Sequence, residues 1–300
     1  MKIRTAIAAA AFALAAFPAG LAASSSGAWA ESAAAAVSSL RPDEPQTKIM
    51  MVVLENTDYD TALHQPFLAS LAERGALLTH FTAEAHPSQP NYIALISGST
   101  FRVHSDGKVS LAARHIGDLV ETKGLRWKVY AESYPGNCFL GTGAGTYVRK
   151  HVPFLSFKNV QNDQARCGAR IVSASELAND IRNGKLPDYS LYVPDLKNDG
   201  HDTGVAYADH WLSTTFGPLL QDPKFMKGLL FVVTFDESKS YLFGGNHVAT
   251  ILVGDAVRPG TRLDANYNHY SLLRLVEDEF ALGSLGQNDA HAVVITGFRK

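Results

Sequence analysis

A chain of 300 residues with 27 basic and 29 acidic side chains has a formal charge of −2, which argues against a polyanion-wrapping surface and against nucleic acid as the expected partner. The weak charge balance fits a soluble enzyme, and the length allows one large α/β domain with a well-buried core.

The first thirty residues are set apart from any fold. Lys2 and Arg4 precede a small-residue apolar run, Ala6 to Ala23, and Ala28-Trp29-Ala30 forms a cleavage pattern before Glu31. Residues 1–30 therefore read as a secretory signal peptide, and the mature protein is expected outside the cytoplasm, secreted or periplasmic. The run is alanine-rich, contains Pro18 and Gly20, and has no second apolar span after it, so no stable membrane anchor is expected. Residues 31–47 read as a flexible lead-in, and 48–300 as a single domain with a long insertion at about 133–170. That insertion holds the two cysteines, Cys138 and Cys167. In an exported chain a disulfide between them is expected, with two free buried thiols as the alternative.

The domain opens with Lys48 to Asn56. Its unbroken apolar run, Ile49 to Leu54, suits a strand covered on both faces, and the run ends in Glu55 and Asn56. In open α/β sheets the ligand crevice lies outside the carboxyl ends of the strands, which makes this pair a candidate site. Gln65 to Arg74 has helical spacing and stops at Gly75, and Ala76 to Phe81 reads as a strand. His86-Pro87-Ser88-Gln89-Pro90 follows. Pro87 and Pro90 favour extended backbone before them, and Pro90 suits the first turn of a helix running through Tyr92 to Gly98. Ser88 then lies at a helix N-terminus, which favours a phosphate or an alkoxide; a plain N-cap is the alternative.

Ile116 to Thr122 reads as a helix and Trp127 to Ala131 as a strand. Within the insertion, Lys150 to Phe154 offers one lysine and the His151 imidazole, a candidate for anion binding, with a surface loop as the favoured reading. Ala174 to Gly184 has helical spacing and Tyr189 to Val193 reads as a strand, with Asp195, Asp199, His201 and Asp202 directly after it. Such crowding of acids and imidazoles calls for a cation or is a solvated turn. Gly228 to Phe235 repeats the pattern of an apolar strand ended by acids, here Asp236 and Glu237. Asn246 and His247 head a further strand, and Asn268 to Phe280 is an amphipathic helix with His269 at its start. No GxSxG elbow is present, so an α/β-hydrolase triad has little support.

Carboxylates, an amide and imidazoles recurring at strand ends match the ligand preference of hard and borderline divalent ions such as Zn, Ca, Mg or Mn. Phosphate-ester hydrolysis has an uncatalysed barrier among the largest known, which a divalent ion can lower where an uncharged Ser and His pair would not suffice. Ser88 would be the nucleophile, and His201 or His247 the acid and base.

Six ordered motifs carry a resemblance: ENTDYD at 55–60, HPSQPNYIALISGS at 86–99, NDGHD at 198–202, FDES at 235–238, NHV at 246–248 and NHYSLLRLVED at 268–278. Together they resemble the secreted phosphoesterase family that unites bacterial and fungal acid phosphatases with bacterial phospholipases C, similar in fold to alkaline phosphatase. The resemblance implies a doubly wound, mostly parallel sheet with helices on both faces. It implies Glu55, Asn56, Asp236 and Glu237 as metal ligands and Ser88 as nucleophile. By the same resemblance Asp199, His201, His247 and His269 would line the phosphate or hold a second ion, with His86 and Asn91 as further substrate-binding candidates. TDYDTALHQ after Glu55-Asn56, where the phospholipase branch has a longer aromatic stretch, favours the phosphatase branch; Glu237, where a histidine is common, leaves one or two ions open. The expected activity is hydrolysis of small phosphate monoesters through a phosphoserine. A phospholipase C or phosphodiesterase on the same residues, or an exported binder of phosphate or metal without turnover, are the alternatives. The sequence does not set the oligomeric state.

Overall fold

The computed structural model describes residues 48–240 and 245–300. The expected signal peptide and lead-in lie outside the described residues. Among the described residues eight strands form one sheet: β1 (Lys48–Leu54), β2 (Ala76–Thr82), β3 (Trp127–Ala131), β4 (Ile171–Ser173), β5 (Tyr189–Val193), β6 (Leu229–Phe235), β7 (Thr250–Gly254) and β8 (Thr261–Asn268). The helices used below are α1 (Pro66–Arg74), α2 (Ser88–Ser97), α3 (Ile116–Thr122), α4 (Gln164–Arg170), α5 (Glu176–Arg182), α6 (Val205–Phe216) and α7 (His269–Glu279).

The strand order is β8-β2-β7-β6-β1-β5-β3-β4. Strand β7 runs antiparallel to both neighbours, and every other pairing is parallel. This is the expected mostly parallel α/β architecture. Every residue of β5 and β6, and all of β1 after Lys48, is buried. Because successive side chains point to opposite faces, burial of all of them means that both faces are covered, which explains why these segments read as continuous apolar runs.

Helix α2 begins at Ser88 itself, so Gln89 is helical rather than extended as its position before Pro90 suggested. The first-turn N–H groups have no partner within the helix, so a proline at the third position removes no helical hydrogen bond. All ten α2 residues are buried. The helix ends at Gly98 with φ +72°, where a Cβ would stand 2.2 Å from Asp289 Oδ1, so this end requires glycine.

Strand β8 was not expected from the sequence. Its burial is intermittent, and it is held at the sheet edge by pairing with β2. The insertion is compact, with a small hairpin, short helical turns and a Cys138–Cys167 disulfide. No helix among the described residues is long and apolar enough to cross a membrane.

Candidate active site

Adjacent strands bring the acids together. Strands β5, β1 and β6 lie side by side, and their pairing continues past the strand ends: Glu55 N donates to Asp199 O at 2.9 Å and Asp236 N to Leu54 O at 3.0 Å. Glu55, Asp199, Asp236 and Glu237 thus converge at the carboxyl edge of the sheet, all buried. Ser88 enters from the first turn of α2. Its hydroxyl donates to Glu55 Oε2 at 3.0 Å and lies 3.3 Å from Glu237 Oε1. It also reaches Asp236 closely enough to help hold down that carboxyl group.

Tyr92, one helical turn after Ser88, donates to Glu55 Oε1 at 2.5 Å. Its ring stacks on His151 with centroids 4.9 Å apart. His151 lies between two acids, Nε2 at 3.3 Å from Glu55 Oε1 and Nδ1 at 3.3 Å from Asp199 Oδ2. Glu55, His151 and Asp199 form a buried triad whose ligand atoms all lie within 4.8 Å of one another, able to hold a metal ion. His151 was placed on a surface loop by the sequence reading, and the structure corrects this: the short turn Arg149–His151 turns inward, with both Arg149 and His151 buried. The apolar flank Val152, Phe154, Leu155 and Phe157, also buried, is the signal that could have found it.

Lys150 comes from the same turn. Its ammonium stands 2.8 Å from Asp106 Oδ2 and 3.5 Å from Ser88 Oγ. His86 Nδ1 meets Glu237 Oε2.

The remaining sequence candidates have other partners. Asn91 clamps the corner before α2: its Oδ1 accepts from Glu84 N and Ala85 N, each at 2.9 Å, and its Nδ2 donates to Ala85 O at 2.7 Å. His247 Nε2 contacts Thr79 O at 2.9 Å while the ring stacks on Tyr59. His269 is buried with Nε2 on Phe235 O at 3.1 Å, and burial pushes it down to about 4. His201 is exposed; its backbone N–H donates to Asp199 Oδ1 at 2.8 Å and its Nδ1 lies 2.8 Å from Asp202 Oδ1. Asp195 instead accepts from Ser133 and Thr146, tying the insertion to this loop.

The electrostatics are those of acids without enough cations. Burial first, then Asp236 and Asp199, push Glu55 well above the carboxylate range. Burial pushes Asp199 and Asp236 each up to about 7. Burial and the neighbouring Asp236 push Glu237 to about 8. His151 is held well below its ordinary value, by burial above all and then by Lys150.

A divalent ion fits these residues. Asp199 Oδ2, Asp236 Oδ2 and both ring nitrogens of His151 are buried without a hydrogen-bond partner, a costly state that a cation would relieve. The Asn56 side-chain oxygen faces only acceptors, Asp236 Oδ1 at 3.2 Å and Glu55 Oε2 at 3.1 Å. Turning the amide would make hydrogen bonds of these contacts, but three converging oxygens are also the arrangement that a hard cation stabilises.

Solved structures share the fold. A protein of the alkaline phosphatase superfamily from Vibrio parahaemolyticus aligns with TM-score 0.58 at 13% identity, over 84% of this chain and 71% of that one. The chain thus has the α/β fold of that superfamily, with a serine hydroxyl among strand-end acids.

Residues 29–283 match the Phosphoesterase family, and the chain belongs to it. A probable acid phosphatase of Kluyveromyces lactis is 39% identical over 260 residues, 83% of this chain. The chain spans 61% of that relative's length. A phosphatidylinositol-3-phosphatase of Mycobacterium tuberculosis is 32% identical over 79% of this chain and 78% of its own length.

Proposed function

We propose that the chain is an exported, metal-dependent phosphatase that hydrolyses phosphate monoesters through a phosphoserine at Ser88. The observation that carries this reading is the Ser88 hydroxyl, at the head of a buried helix and in contact with Glu55 and Glu237. The names of the relatives, acid phosphatase and phosphatidylinositol-3-phosphatase, agree with it.

Glu55, Asn56, Asp236 and Glu237 would hold one divalent ion, and Asp199 and His151, sharing Glu55, a second. When bound, such an ion supplies Lewis-acid polarisation of a phosphoryl oxygen and lowers the pKa of a nearby hydroxyl. Ser88 Oγ, which donates to Glu55 Oε2, passes its proton to that carboxylate and forms a bond to phosphorus opposite the ester oxygen as the ester bond breaks. His201, exposed and paired with Asp202, gives its proton to the departing alcohol. Water then passes a proton to His201 as it attacks phosphorus, the bond to Ser88 breaks, and the serine takes its proton back from Glu55. The N-terminal dipole of α2 favours the negative charge that develops at Ser88.

The test is to trap labelled phosphoserine from an aryl phosphate and to measure Ser88→Ala. We expect label on Ser88 and turnover lower by roughly 10⁴-fold or more, as for loss of other catalytic nucleophiles. Near-normal turnover in that variant would remove the assignment.

A further inference from the structure

We propose that Lys150 reads the charge of the substrate: its ammonium binds a second anionic oxygen of the phosphoryl group, so the site favours dianionic monoesters over monoanionic diesters. The inference rests on the hydrolytic reading of Ser88. The surroundings of Ser88 oppose an anion, with Glu55 Oε2 at 3.0 Å and Glu237 Oε1 at 3.3 Å. The nearby imidazoles already have acidic neighbours, His151 between Glu55 and Asp199 and His86 against Glu237. Lys150 Nζ, at 3.5 Å from Ser88 Oγ, is the cation that reaches the reacting atom among these residues. A phosphoryl group bonded to Oγ projects its non-bridging oxygens outward, and an ammonium this close meets one of them.

The aim of that ammonium is built into the fold. Asp106 accepts from Lys150 at 2.8 Å through Oδ2, and from the backbone N–H of Gln89, the residue after the nucleophile, at 3.0 Å through Oδ1. The Gln89 side chain donates to Ser105 O at 2.8 Å and Gly107 O at 2.7 Å, fixing the loop on both sides of Asp106. Arg149 donates to Gln89 Oε1 at 3.0 Å. Ser88, Gln89, Asp106 and Lys150 thus form a ring of contacts that begins and ends at the nucleophile. A lysine here acts as a point charge, so its contribution follows the charge of the ligand more than its shape.

A monoester above its second ionisation has two anionic oxygens and a diester has one, so the two substrates separate this role from a general one. Rates on p-nitrophenyl phosphate and methyl p-nitrophenyl phosphate, which share a leaving group, are compared at neutral pH with divalent metal present. Lys150→Met should lower kcat/KM for the monoester about tenfold to a hundredfold, the usual range for one charge-assisted hydrogen bond. The diester should fall much less, and Lys150→Arg should recover most of the monoester preference. A lysine with a merely structural role would depress both esters alike, which would overturn the proposal.

Calorimetric titration with inorganic phosphate, in Ser88→Ala with and without Lys150→Met, gives an independent readout. Weaker binding in the double variant supports the proposal, and equal affinity, or no binding in either protein, overturns it. If Ser88→Ala stayed active, the nucleophile assignment would fall, while this titration would still decide the role of Lys150.

Discussion

Two groups of acids in this molecule are treated in opposite ways. On α3, Asp118 and Glu121 face arginines from α4: Arg166 Nη2 lies 2.7 Å from Asp118 Oδ1 and 2.8 Å from Glu121 Oε2, and Arg170 Nε 2.9 Å from Glu121 Oε1. Burial works against the Asp118 charge, but His115 and Arg166 outweigh it and hold the carboxyl below its ordinary value. At the carboxyl edge of the sheet, Glu55, Asp199, Asp236 and Glu237 are all raised. The same fold therefore neutralises acids with its own arginines between α3 and α4, and leaves them unbalanced at the sheet edge, where the cluster is able to hold a cation.

The largest effect that sharpens this contrast is on turnover. Glu55→Gln should lower kcat on an aryl phosphate by roughly a hundredfold to a thousandfold, in the range seen when one electrostatic group of an active site is removed. The same variant should make the metal-free protein more stable, by on the order of 1–3 kcal/mol, because a repelled buried charge is gone. A denaturant melt in chelator reads the second outcome, and a loss of stability there would break the comparison.

The pH dependence should also be opposite in the two regions. The sheet-edge carboxyls have folded pKa values above the unfolded ones, so their contribution to stability is fully present below about 4. It is lost as pH rises through about 7 for Asp199 and Asp236 and about 8 for Glu237. Asp118 is lowered, so its contribution is present above its ordinary value of 3.8 and is lost as pH falls through the folded value. Melting curves of chelated protein should therefore weaken between about pH 4 and 8, and a divalent ion should restore stability at the upper end while releasing protons. A flat profile in chelator would show that the cluster is not strained.

A smaller effect is expected at Tyr92, whose hydroxyl donates to Glu55 and whose ring supports His151. Tyr92→Phe should weaken metal affinity by roughly tenfold, as loss of a partner that orients a ligand does, and calorimetry would measure it. The smallest is Asp118→Ala, which should cost about 1 kcal/mol in a urea melt and leave turnover unchanged.

Much of the site was legible because its acids follow unbroken apolar runs of strand length. Ile49 to Leu54 and Leu229 to Phe235 are buried throughout, and the polar residues directly after them fall at the crevice by topology. Lys150 and His151 were harder to read, since the insertion that carries them has no helical or strand period, and only the apolar residues after them mark the turn as buried. Asn91, His247 and His269, which the motifs also singled out, each have a polar atom on backbone at the corners and strand ends supporting the site. Strand β8 lacks an apolar run and owes its conformation to pairing with β2, a long-range contact that local pattern does not encode.

The disulfide gives the insertion a second meaning. Cys138 and Cys167 stand 29 positions apart, and the segment they enclose contains both Lys150 and His151. In the chain-entropy view a covalent loop of this size removes about 3–4 kcal/mol of freedom from the unfolded chain. Thiol oxidation thereby favours the fold that delivers the basic half of the site to an acidic half built by the sheet alone. Under reducing conditions the strand-end acids would keep their scaffold, while the loop that faces them would lose its staple.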